Sequence, residues 1–169
     1  MTQSDTRVHI RPVLAAEFDA VAQLTVQTYV GEGHVQPDSP YVDQLADTEN
    51  RANAAEVLVA VRDSEVLGSL TIARTGTPYA DIARAGELEF RMLAVAGRAR
   101  GAGVGTALVR TVLDTARDEG FAAVVLTTMP DMRAARRIYE RLGFAHIPER
   151  DWFTPRGIPL TVMRRATER

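Results

Sequence analysis

Residues 94–109 read AVAGRARGAGVGTALV, in which Gly101, Gly103 and Gly105 alternate with small residues and Arg98 and Arg100 stand just ahead. An apolar stretch precedes the run and a helix-like pattern follows it. Helix N-termini leave backbone N–H groups unpaired and carry partial positive charge. Glycines let such a backbone approach a ligand closely. Together these features favour a phosphate or pyrophosphate. A P-loop would need a lysine, and none stands here. A dinucleotide fingerprint, G-x-G-x-x-G, fails from Gly101 at Thr106 and from Gly103 at Leu108. The pattern R-x-x-G-x-G is met by Arg100, Gly103 and Gly105.

The elements around the run must present it. RVHIRPV (7–13) alternates and predicts a first strand. Leu14, Phe18, Val21, Leu24 and Thr28 recur at helical spacing. GEGHVQPDSP (31–40) predicts a loop, and YVDQLADTENRANAAE after it a second, polar helix. VLVAVR (57–62) and VLGSLTIAR (66–74), joined by DSE, predict an antiparallel hairpin. ELEFRMLAV (87–95) predicts the strand that feeds the glycine run. The next helix carries Val104, Leu108, Val112 and Ala116 on one stripe and stops at Gly120. AAVVLTT (122–128) predicts a buried strand, and MRAARRIYERLG a helix with Ala135, Ile138, Tyr139 and Leu142 inward. Strands near FAHI and in IPLTVMRR (158–165) close the order β-α-α-β-β-β-α-β-α-β-β, a mixed α/β domain with an antiparallel first half.

Bulk numbers remove several classes of function. The 169 residues suit one domain, 1–169, without repeat or linker. A net charge of −2 argues against a nucleic-acid surface or an anionic membrane surface. No apolar run approaches the roughly 18 residues of a membrane span, and the polar MTQSDTRVHI has no signal core. The absence of cysteine excludes a disulfide framework and thiolate chemistry and fits the cytoplasm. His9, His34 and His146 have no ligand spacing, so no metal is expected.

The glycine run behind EFRMLAV, and AARRIYERLGF (134–144) with its A-x-x-x-Y-x-x-x-G-F spacing, resemble the GNAT N-acetyltransferase superfamily. The element order is similar from Val8 to about Val162, nearly the whole chain. The resemblance implies an α/β (α+β) fold: a single mixed, mostly antiparallel central sheet flanked by about four helices, with a core of about 7–165. It implies acetyl-CoA as acetyl donor, direct attack by a primary amine in a ternary complex, and no metal. Homodimers are common in the family. The runner-up is a non-catalytic acyl-CoA-binding regulatory module.

The resemblance also assigns residues. Main-chain groups along Leu93, Ala94 and Val95 pair with the pantetheine arm. The N–H groups of Arg100, Gly101, Ala102, Gly103, Val104, Gly105 and Thr106 take the pyrophosphate, with charge from Arg98 and Arg100. An alkylamine with a pKa near 10.4 must lose a proton before attack. Glu89 is the candidate base, directly or through water. Its alternative is a salt bridge, with Arg91 near. The departing thiolate needs a proton, and Tyr139 matches the family's acid, although on its apolar stripe alone it would simply pack. Met132 stands where many members carry a cofactor-contacting asparagine. Acceptor choice is expected in TYVGEGHVQPDSPY, TGTPYADIARAGE and IPERDWFTPRG, where Tyr29, His34, Tyr41, Glu149, Asp151 and Trp152 are the chemically capable residues. Glu149 and Asp151 would pair with a cationic amine or with Arg150, and His34 is expected to be exposed. A small-molecule acceptor is preferred, because no acidic run would dock a basic protein tail.

Overall fold

The computed structural model describes residues 7–168. Most of the polar N-terminal stretch lies outside the described residues. The chain folds as β1 (His9–Pro12), α1 (Phe18–Val26), α2 (Tyr41–Ala46), α3 (Thr48–Ala54), β2 (Glu56–Arg62), β3 (Glu65–Ala73), β4 (Glu87–Val95), α4 (Val104–Asp118), β5 (Ala123–Thr128), α5 (Arg133–Arg141), β6 (Ala145–His146), β7 (Trp152–Phe153) and β8 (Pro159–Ala166). The strands form one sheet in the order β1-β2-β3-β4-β5-β8-β6, with β7 on β8. Only β4 and β5 run parallel among these neighbours.

Two differences from the sequence pattern have local causes. The expected polar helix breaks in two at Asp47, whose carboxylate accepts from the Asn50 N–H and starts α3. A side chain of this kind offers the backbone a cap in place of helix continuation. Among the described residues the sheet therefore carries five α-helices. The two-residue strand β7 was not expected, being too short for a period to show. The hairpin holds: Asp63 and Ser64 both take positive φ at the β2–β3 turn, as a primed turn demands.

Amphipathic helices cover both faces of the sheet. Val104, Leu108, Val112 and Ala116 of α4 are buried against Leu58, Leu70, Leu88 and Phe90. On the other face Val21 of α1 packs on Val57, Val59 and Val61. Burying one such side chain contributes about 1.5–3 kcal/mol. A π-helical turn, Gln27–Gly31, extends α1 and carries Tyr29 inward beside Val35, Leu45 and Met92. Met92 and Val104, read from the sequence as core residues, are buried.

One irregularity positions the site. Met92 has φ +59°, and the β3–β4 register shifts between Ser69 and Thr71. A bulge of this kind re-aims the side chains that follow it. Leu88 and Phe90 belong to the α4 cluster, Met92 joins the opposite face with Tyr29, and Leu93 and Val95 return to the α4 side.

Candidate active site

β4 and β5 pair at Glu87–Ala123, Leu88–Val124 and Glu89–Val125, and no further. Beyond Glu89 the strands diverge. The β5-side edge of β4 therefore meets no strand, leaving main-chain groups there for a ligand. A cavity of about 820 Å³ opens at this divergence, lined by residues that include Leu93, Val95, the glycine run and one face of α5. Of the ten residues expected to hold the cofactor, Leu93, Val95, Arg100, Gly101, Gly103, Val104, Gly105 and Thr106 line it. Ala94 is buried and Ala102 exposed, and neither is part of the wall.

The loop is built as the glycines suggested. Gly103, the residue before α4, has φ +79°, a left-handed conformation that L side chains resist. A Cβ on Gly105 would lie 2.8 Å from Ile138 and 3.4 Å from Val95, so its bareness lets α4 sit close to β4 and α5. Two of the seven expected N–H donors are already used: Arg100 N–H reaches Gly97 O at 3.3 Å and Ala102 N–H reaches Ala99 O at 3.2 Å. Among the described residues no protein acceptor takes the N–H of Gly101, Gly103, Val104, Gly105 or Thr106. Five donors at the start of a 15-residue helix make an anion cradle.

The arginines fall differently from expectation. Arg100 is ion-paired to Glu32 at the cavity wall. Arg98 pairs with Glu65 at 2.6 Å, with both side chains more than half exposed. Three cations were overlooked: Arg133, Arg137 and Arg141 all line the cavity from α5. Their four-residue spacing puts them on one face, and that spacing was the sign available in the sequence. Met132 both lines the cavity and packs on the Tyr29 cluster. His34 is not simply exposed: its Nδ1 lies 3.0 Å from Asp131 Oδ2, and both residues line the same cavity.

Tyr139 is 5% exposed and meets Phe90 and Phe144 edge to face at 5.8 and 6.0 Å. Burial raises its phenol pKa well above the usual value of 10.0. Its hydroxyl has no protein acceptor among the described residues. Tyr139 itself does not line the cavity, although its helix neighbours Ala135 and Ile138 do. The buried Tyr29 comes close enough for Tyr139, Tyr41, Arg91 and Arg51 all to bias its titration, although burial raises it most.

Glu89 is 1% exposed, and the structure does not bring it into this cavity. Its Oε1 accepts from the N–H groups of Ile82 (2.9 Å) and Ala83 (3.0 Å), and its Oε2 from Asp81 (3.2 Å). Burial raises its pKa and the three N–H groups oppose the rise. Two of those residues, Asp81 and Ile82, line a second cavity of about 440 Å³ together with Arg84, Glu149, Arg150 and Trp152. Arg150 pairs with neither Glu149 nor Asp151. It bonds buried Glu87 at 2.9 and 3.0 Å. Burial would raise the Glu87 pKa, but Arg150, the Arg84 N–H and Arg164 hold it down at about 2. Asp151 accepts from the Val162 N–H at 2.9 Å and contacts His146 at 2.8 Å. Two of the loops expected to choose the acceptor thus form one pocket beside Glu89.

Comparison with known proteins agrees with this geometry. The model of the acetyltransferase (GNAT) family matches residues 18–144. N-acetylaspartate synthetase of Rattus norvegicus is 35% identical over 111 residues, 63% of this chain and 33% of that protein. The probable N-acetyltransferase camello of Xenopus tropicalis is 41% identical over 86 residues, 51% of this chain and 36% of that protein. The chain thus spans about a third of the length of these curated relatives. Among solved structures, a GNAT acetyltransferase from Staphylococcus aureus Mu50 superposes with TM-score 0.76 at 16% identity, covering 96% of this chain and all of that one. The Salmonella typhimurium protein yncA, solved with its cofactor acetyl-CoA, gives TM-score 0.68 at 22% identity over 95% of this chain and 94% of its own. With the divergent strands, the glycine cradle and the family match over most of its length, the chain belongs to the acetyltransferase (GNAT) family.

Proposed function

We propose that the chain is one catalytic domain that transfers the acetyl group of acetyl-CoA to a primary amine of a small molecule, peptide or protein, by direct attack in a ternary complex. The observation that carries this is the parting of β4 and β5 beyond Glu89 into a cavity with a helix N-terminus at one end. Bound there, acetyl-CoA supplies an activated thioester. The N–H groups of Gly101, Gly103, Val104, Gly105 and Thr106, with the α5 arginines, hold its phosphates. Main-chain groups along Leu93 and Val95 hold its pantetheine arm.

Tyr139 is the acid. Burial keeps the phenol protonated at neutral pH and makes its phenolate costly. It therefore stabilises the departing thiolate by hydrogen bonding in an apolar pocket. Glu89 takes the amine proton, through water, from the side of the second cavity. Its raised pKa suits a base. A small-molecule acceptor remains the preferred class, and relatives named N-acetylaspartate synthetase, after the acetyl form of a small amine, support it.

The protein works in the cytoplasm in this reading, in line with its lack of cysteine. Among the described residues no helix is long and apolar enough to cross a membrane. A homodimer is part of the proposal and is read by light scattering. Transfer is tested by thiol release from acetyl-CoA across a panel of primary amines. Acceptor-dependent release supports it; binding of CoA without release from any amine would favour the non-catalytic acyl-CoA-binding module.

A further inference from the structure

The sheet face away from α4 gathers several buried charged groups. Alternation puts Glu87, Glu89 and Arg91 on that face of β4. Arg91 is two residues beyond the last β4–β5 pair, at the point where the strands part. Its side chain is 14% exposed. Nη1 donates to Tyr79 O at 3.0 Å and meets Asp81 Oδ2 at 3.2 Å, while Nη2 donates to the Tyr41 hydroxyl at 3.2 Å. The guanidinium carbon also sits 5.8 Å from the Tyr41 ring centre.

A second guanidinium stands behind it. Arg51 is 1% exposed, and its Nη1 donates to Leu45 O at 2.9 Å and to Gln44 O. Its Nε is buried with no acceptor, and among the described residues no carboxylate lies within ion-pair distance. Arg91 and Arg51 act on each other and both act on Tyr29, which is also coupled to Tyr139. A buried cation without a counter-ion is unfavourable. The one carboxylate in ion-pair contact with Arg91 belongs to Asp81, which is 38% exposed and lines the second cavity, while Glu89 acts on Arg91 from farther away. Arg91 and Tyr41 do not line that cavity, and Asp81 stands between them and it, so displacement of the partly exposed Asp81 carboxylate is the step that opens Arg91 to a ligand entering there.

We propose that the acceptor carries a carboxylate beside its amine, which Arg91 and Tyr41 hold in place of Asp81 while Arg51 supplies the buried positive charge behind them. The amine is thereby kept on the Glu89 side of the divergence, facing Tyr139 across it. This rests on the acetyl-transfer reading. It restricts the acceptor to amino acids and similar amino-carboxylates, and it disfavours plain alkylamines.

The test pairs acceptors with and without a carboxylate: glycine and L-alanine against their amides, and L-aspartate and L-glutamate against their diamides, compared per free amine. Thiol release gives kcat/KM, and each compound is also added to CoA-saturated protein for thermal unfolding. The acids are expected to be preferred by about tenfold or more, and to add a shift that the amides do not. Arg91→Gln should remove the preference while the shift caused by CoA itself persists. Arg51→Met, where it folds, should raise KM for the acids and leave the CoA shift in place. Amides acetylated as well as acids, acids that neither react nor shift the CoA-saturated protein, or a preference surviving Arg91→Gln would each overturn the proposal. No shift with CoA alone would overturn the acetyl-transfer reading and this proposal together, which separates the two failures.

Discussion

Glu89 and Val125 are the last residues at which β4 and β5 pair, at the point where the strands part into the larger cavity and beside which the second cavity lies. Below it the strands share main-chain hydrogen bonds. Above it Arg91, Ala94 and Val95 pair only with β3. Phe90, one residue past the pair, holds Tyr139 edge to face at 5.8 Å. The candidate acid and the candidate base are thus fixed from adjacent positions of a single strand.

Tyr139→Phe separates chemistry from packing. The ring contacts with Phe90 and Phe144 survive, and the hydroxyl has no protein partner to orphan. Stability should change by less than about 1 kcal/mol. Turnover should fall about 10²-fold, within the range for a positioned acid, with the thermal shift from CoA unchanged. Turnover equal to wild type would return Tyr139 to a packing role.

Gly103→Val tests the cradle. A β-branched side chain at φ +79° is strained by about 1–2 kcal/mol. Nothing lies within 4 Å of the added Cβ, so the loss is conformational and falls on the five N–H donors. We expect a lower Tm and a KM for acetyl-CoA raised about tenfold or more, with kcat moved less. An unchanged KM would remove the loop from cofactor binding.

Glu89 makes a pH-dependent claim. Burial raises its pKa above the usual 4.5, so a base function is lost as pH falls through that raised value. The acidic limb of kcat/KM should therefore lie above pH 4.5 in the wild type and disappear in Glu89→Gln, with a lower plateau. The sign for stability is opposite: a raised carboxyl favours the fold below its unfolded pKa, and this contribution fades as pH rises through the folded one. The amide also sets an NH₂ against one of three N–H donors, costing about 1–3 kcal/mol. A limb that persists in Glu89→Gln would assign the base elsewhere.

Glu87 behaves in the reverse sense. Its pKa is depressed to about 2, so its stabilisation is present above 4.5 and lost as pH falls through about 2. Acid unfolding should steepen within that window. Glu87→Gln leaves Arg150, itself 8% exposed, without its counter-charge. Breaking a buried pair in this way costs about 3–5 kcal/mol, and the Tm at pH 7 should fall accordingly. A neutral effect would show that Ile82 O alone satisfies Arg150.

Much of this was legible before the structure. Apolar spacing located α4 and α5, and glycine spacing at the start of α4 pointed to an anion. Three things were not. The Met92 bulge leaves no trace in a run of apolar residues, yet it decides which side chains face the cavity. The Glu87–Arg150 pair joins residues 63 positions apart, which no local pattern can show. The fate of Glu89 depends on loop 81–83 folding back over it, so a strand glutamate whose expected alternative was a salt bridge is held by three main-chain N–H groups. The α5 arginines Arg133, Arg137 and Arg141 stand in the sequence as a four-residue repeat.

The most direct measurement is thermal unfolding with acetyl-CoA, free CoA and NAD side by side, repeated on Gly103→Val. A ligand at about 100 times its dissociation constant adds about 2.7 kcal/mol, which for a domain of this size raises Tm by about 5–10 °C. We predict that rise with both CoA forms, none with NAD, and a smaller rise at equal ligand in the variant. No rise with either CoA form at millimolar ligand would contradict the cavity between β4 and β5 as an acetyl-CoA site.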